Sequence, residues 1–268
     1  DRGRTMGYLA AANAGAWIAV NPVVGFITEH FSWRWALAVP AAPALIALAL
    51  VPIASPIQQA ERSVRLRTVL SVPTARRWIA AELIAYTAWT AFLTFNGAFF
   101  IQKLGAGETQ VGWLLAIGPA TYMISATRSG SLSKRFQRRH VVATSALGTA
   151  ILLAFLLGGA NRLAWAAGLC GLIGLVAGVR TPTSAALGLS QLPNHPGAMM
   201  ATRTGLTQMG YLLGGLIGGA VIAGPGYAAF GLVLAAGLAA SAAMVLQVEE
   251  VVENQAPITS DGELEAAS

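Results

Sequence analysis

Charge is what this sequence has least of. Of its 268 residues, 10% are Asp, Glu, Lys or Arg and 55% are hydrophobic. Soluble domains carry about 25% charged residues, so a water-soluble core under a solvated surface is excluded. Cysteine is nearly absent too. Cys170 is alone, which rules out an intrachain disulfide and a cysteine-based metal site. It lies among Gly168, Gly171 and Gly174 and reads as a small packing residue. The histidines, His30, His140 and His195, all fall at the ends of apolar runs, and no run holds a pair of carboxylates. Neither His-Glu-x-x-His nor Gly-x-Ser-x-Gly occurs, and there is no glycine-rich phosphate loop. This inventory predicts a protein that is not an enzyme and has neither metal nor cofactor. There is no initiator Met before Asp1-Arg2-Gly3-Arg4, so the sequence reads as a piece of a longer chain.

What is abundant is apolar length. Eight runs approach the 20 residues a membrane crossing needs, at about 6–27, 35–55, 78–101, 109–128, 140–160, 163–188, 200–223 and 227–247. This predicts an all-α polytopic bundle. The net charge of +6 would suggest nucleic acid in a soluble protein, but here it sits in short loops, so no nucleic-acid partner is expected. Alternate connections are basic: Arg2 and Arg4; Arg62 to Arg77; Arg128 to Arg139; and His195 with Arg203. The others carry Glu29 with Arg34, Lys103 with Glu108, and Arg162. Basic loops are retained inside, so both ends of the chain are expected in the cytoplasm of a cell membrane.

Residues 56–77 form the longest basic connection and predict a boundary between bundles, with two spans in 1–55 and six in 78–248. Val64, Leu66, Val69, Leu70 and Val72 among Arg62, Arg65 and Arg67 suit a short surface helix. The acidic, polar end, 249–268, is expected to be a disordered cytoplasmic tail.

Ionisable groups inside a membrane are costly and mark function by default. Glu82 is the only acid within a span, about one turn from its end, and Trp89 and Asn96 follow at intervals of seven, with Tyr86 beside them. Seven residues make about two turns, so they share a stripe suited to a cavity wall. The alternative is that Glu82 snorkels toward Arg76 and Arg77. Arg180 lies deep in the sixth span before Thr181 and Pro182, and Glu82 is the acid at a comparable level. An ion pair between them is expected. Asn21 and Gln208 are expected to hydrogen-bond between helices, and Gly210, Gly214, Gly215, Gly218 and Gly219 to form close-packing rows.

Gly130, Leu132, Lys134, Arg135, Gln137, Arg138 and Arg139 resemble the Gly-x-Leu-x-Asp-Arg-x-Gly-Arg-Arg loop of the major facilitator superfamily, with Lys134 for the acid and Gln137 for the second glycine. Pro22 and Gly25 resemble part of the Gly-Pro-x-x-Gly-Gly antiporter motif of that family's fifth helix, with Asn21 for the first glycine and Phe26 for the last. The resemblance implies helices five to twelve of a twelve-helix carrier working by alternating access. It also implies that Arg128, Arg135 and Arg139, with Gly130, Lys134 and Arg138 of the same motif, belong to a cytoplasmic gate. An orientation signal alone is the plainer alternative.

Together these features predict a monomeric carrier of small solutes, with proton-coupled efflux of drugs or amphipathic compounds as the leading expectation. Tyr86, Trp89, Phe92 and Phe95 suit such solutes, and Glu82 is the available coupling group. Two alternatives are an uptake carrier for sugars or metabolites, which should show more hydrogen-bonding groups, and a membrane sensor that does not transport.

Overall fold

Proline at the first helical position and glycine just past the last one punctuate the longest helix. Pro73 opens a run that Gly105 ends in left-handed backbone at φ 65°, where a side chain is strained. The computed structural model describes residues 2–50 and 66–249. The expectations for the rest of the inter-bundle connection and for the tail lie outside the described residues, as do the side chains of residues 2–13, Leu66, Thr68, Ser131, Ser133 and Lys134.

Every regular element among the described residues is a helix: α1 (Arg2–His30), α2 (Trp33–Ala36), α3 (Ala41–Leu50), α4 (Leu66–Leu70), α5 (Pro73–Leu104), α6 (Glu108–Ala126), α7 (Ser129–Arg135), α8 (Arg138–Gly159), α9 (Leu163–Gln191), α10 (Pro196–Ala223) and α11 (Tyr227–Val245). Among the described residues, 6 segments are long and apolar enough to cross a membrane: Trp33–Leu50, α5, α8, α9, α10 and α11. The first and fourth expected spans coincide with α1 and α6, which are helical but not among the 6. In α6 the polar first turn of Glu108, Thr109 and Gln110, followed by Gly112, Gly118 and Pro119, dilutes the apolar content. The second expected span divides into α2 and α3 around turns at Leu37–Pro40, and α3 buries none of its residues. The basic stretch expected as a loop includes the short helix α7.

Neighbours run in the order α10, α5, α11, α8, α9, α6, α1. Among the described residues the bundle holds a small apolar cluster of Ala143, Ala146 and Ala242 and two large ones. One, with Phe92, Phe99, Leu153, Ile173, Phe230 and Leu234, lies away from the basic α7 end. The other, with Trp78, Val142, Leu187, Met199 and Val245, lies toward it. Close seams depend on glycine. A Cβ on Gly178 would collide with Ser125 and Tyr122 of α6, and one on Gly210 would meet the Tyr86 backbone of α5 at 2.9 Å. Gly214 and Gly218 pack in the same way against Thr87, Ala91 and Phe95, whereas Gly215 has nothing within 4 Å and Gly219 touches only Phe95. The expected glycine row of α10 is therefore one stripe rather than two.

Candidate functional site

Two interior prolines shape the site. Pro119 has no N–H to give the carbonyl four residues earlier, which frees Leu115 O inside α6. The Asn21 side-chain amide of α1 donates to that oxygen at 3.1 Å, which is the interhelical bond expected of Asn21. The same crossing is tightened where Gly112 lies against Asn21 and Pro22, and where Gly25 lies against Glu108 and Gly112. Asn21, Pro22 and Gly25 are thus brought to one contact between α1 and α6. At its outer end the Glu29 carboxylate accepts from the Thr109 backbone N–H at 2.7 Å, capping the first turn of α6 from another helix. That bond holds the Glu29 carboxyl below its ordinary 4.5.

A cavity of about 360 Å³ opens between α1, α5, α6, α9 and α10. Trp17, Trp89, Phe92, Tyr122 and Tyr211 supply its aromatic walls, and Asn21, Asn96 and Thr94 supply polar groups. Asn96 is buried, and among the described residues no hydrogen bond engages its amide, so that donor and acceptor are available to an occupant. Of the stripe expected along α5, Trp89 and Asn96 line this cavity, whereas Glu82 and Tyr86 do not, nor does Arg180 of α9.

Those three belong to a separate polar cluster. The helix begins at Pro73, so Glu82 lies about two and a half turns in rather than one. Its side chain is fully buried, away from the exposed Arg76 and Arg77, so it does not snorkel. Glu82 Oε1 accepts from Arg180 Nη2 at 2.5 Å and from Ser184 Oγ at 2.8 Å. Trp78 Nε1 donates to the Ser184 carbonyl at 3.2 Å and to its hydroxyl at 3.3 Å. The expected ion pair is present, and a serine and a tryptophan that sequence reasoning did not select complete it. Ser184 lies four residues after Arg180, one turn along the same face, and that spacing was the available signal.

Arg203 was grouped with the loop charges. The structure places it inside α10, seven residues beyond Pro196, with its guanidinium carbon 5.5 Å from the centre of the Tyr86 ring. Gln208, expected to bond between helices, is exposed on the same helix. Gly130 and Arg135 are exposed on α7, Arg138 is half-buried, and Arg139 Nε donates to Gln137 at 3.0 Å.

Long apolar helices around an aromatic cavity, with a charge pair sealed inside, mark a multi-pass helical membrane protein. The sequence matches the family profile of the Major Facilitator Superfamily over residues 78–265, and the chain belongs to that superfamily. A crystal structure of one such transporter, FucP, in the outward conformation is similar in fold, with a TM-score of 0.57 and 16% identity. The match covers 82% of this chain and 55% of FucP, so the chain spans about half the length of that transporter. No curated protein matches this sequence.

Proposed function

We propose that the cavity between α1, α5, α6, α9 and α10 is the solute site of a carrier that exports amphipathic compounds. The observation that carries this reading is the lining: five aromatic side chains face the space, while one of its two amides, Asn21, is already committed to Leu115. Aromatic walls with few fixed polar groups favour a solute with a substantial apolar body over a polyol, whose hydroxyls would go unpartnered. Membership of the superfamily supports transport of a small solute by alternating access. Export and proton coupling rest on the helix-five resemblance of Asn21, Pro22 and Gly25. The basic motif of Gly130, Lys134, Arg135, Arg138 and Arg139 is read as the cytoplasmic gate.

Glu82 was the expected coupling group. Its burial against Arg180 favours a structural role, because a proton arriving there would strand the arginine charge.

The test is counterflow by the full-length protein in proteoliposomes, with a panel of aromatic solutes set against hexoses. Accumulation of the aromatic solutes, reduced at least tenfold by Trp89→Ala, is the expected result. Hexose flux that Asn96→Ala abolishes, with aromatic solutes excluded, would replace this reading with sugar uptake.

A further inference from the structure

Arg203 has a charge that nothing described neutralises. It lies about 10 Å along α10 from Pro196, at 1.5 Å per residue, and is half-buried there. Among the described residues no carboxylate pairs with it, and its Nε is buried without a hydrogen-bond partner. Its one close companion is the face of Tyr86.

The placement follows from the packing. Gly210 is seven residues further on and shares the Arg203 face of α10, and it lets α10 approach the Tyr86 backbone of α5. The approach brings Arg203 down over the Tyr86 ring. Glu82 stands one turn before Tyr86, but Arg180 and Ser184 occupy the one carboxylate oxygen that is engaged. The Glu82–Arg180 pair sums to zero, so this end of the site carries the net positive charge of Arg203. Arg203 does not itself line the cavity, but Trp89, about one turn beyond Tyr86 on α5, does. Tyr211, another lining residue, lies eight residues along α10, or about 12 Å.

We infer that Arg203 is an anion-binding subsite at the basic-motif end of the aromatic cavity, and that the solute is an amphipathic anion. Such a solute has an aromatic or alicyclic body and a carboxylate, sulfonate or phosphate at one end. The inference rests on the reading of the cavity as the solute site and adds the sign of the solute's charge. The body fills the space between Trp89 and Tyr211. The anionic end reaches Arg203, whose planar fork suits two acceptor oxygens.

The experiment uses three isosteric probes, 2-naphthoate, 2-naphthamide and 2-naphthylmethylammonium, titrated against the purified full-length protein by tryptophan fluorescence. The expected result is that naphthoate binds at least tenfold more tightly than naphthamide. Arg203→Gln removes that advantage and leaves the naphthamide Kd unchanged, while Arg203→Lys keeps part of it. Unchanged naphthamide binding also certifies that the variant is folded. Equal binding of naphthoate and naphthamide by the parent protein overturns the inference, as does equal weakening of both by Arg203→Gln. Preference for the ammonium probe overturns the anion subsite and leaves the amphipathic-solute reading standing. Failure of all three probes to bind overturns both.

Discussion

Arg180 and Arg203 lie well within their helices, the first buried and the second half-buried, and their surroundings differ sharply. Arg180 meets a carboxylate, a serine donates to that carboxylate, and a tryptophan donates to the serine. Arg203 meets the face of one aromatic ring. A compensated pair stabilises the position of α9 against α5 and offers little to a ligand. An uncompensated cation is a liability until something negative arrives. The same residue type is therefore structural in one place and available for recognition in the other, and what separates them is one glutamate.

Breaking the compensated partner should have the largest effect. Arg180→Met leaves the Glu82 carboxylate buried and alone, at a cost of about 3–5 kcal/mol, read as a fall in the thermal midpoint in detergent. Glu82→Gln with Arg180→Met should recover most of that loss and retain proton-driven flux. Flux lost in the double variant with the thermal midpoint restored would make Glu82 the coupling group.

Next comes the seam that positions the other arginine. Gly210→Val drives a side chain into the Tyr86 backbone, an overpacking cost of about 1–3 kcal/mol, and moves Arg203 off its ring. Gly215→Ala, where a Cβ meets nothing within 4 Å, should stay within about 0.5 kcal/mol and is the matched control in the same melting experiment. Tyr86→Leu keeps the apolar bulk but withdraws the ring face, worth up to about 2 kcal/mol when desolvated. It should weaken naphthoate more than naphthamide. Trp78→Phe removes the donor to Ser184 and should lower stability by about 0.5–1.5 kcal/mol without touching naphthoate binding.

The smallest effect concerns Glu29, an exposed charge. Its carboxyl is held below 4.5, so its contribution is present at neutral pH and is lost as pH falls through the lowered value. At pH 7 the Thr109 amide should exchange more slowly in the parent than in Glu29→Gln. The difference should vanish once Glu29 is protonated.

The helical fold was legible because apolar length and alternating loop charge report membrane crossings directly. The Glu82–Arg180 pair was legible for a related reason. Two opposite charges in otherwise apolar runs at similar depth have few other places to go. Arg203 reads as a loop charge because it falls at the very start of the seventh apolar run, 200–223, whereas α10 begins at Pro196. A proline opening a helix adds a turn before the hydrophobic residues begin, and that turn puts Arg203 inside. The same error placed Glu82 too near the end, since Pro73 starts α5 five residues before the apolar run. The cavity was only half visible. Heptad spacing selected Trp89 and Asn96, but Trp17, Tyr122 and Tyr211 come from three other helices, and no periodicity within one helix reports which neighbours converge. The role of Asn21 was hidden in a second helix, because its acceptor exists only through Pro119.

Glu29 completes the start of α6 across a separation of 80 residues. Chains are made from the N-terminus and fold as they emerge. The residue that finishes α6 is therefore synthesised before α6 itself. When Thr109 emerges, the acceptor for its N–H has already been made. A helix later in the chain thus has its end defined by an earlier one.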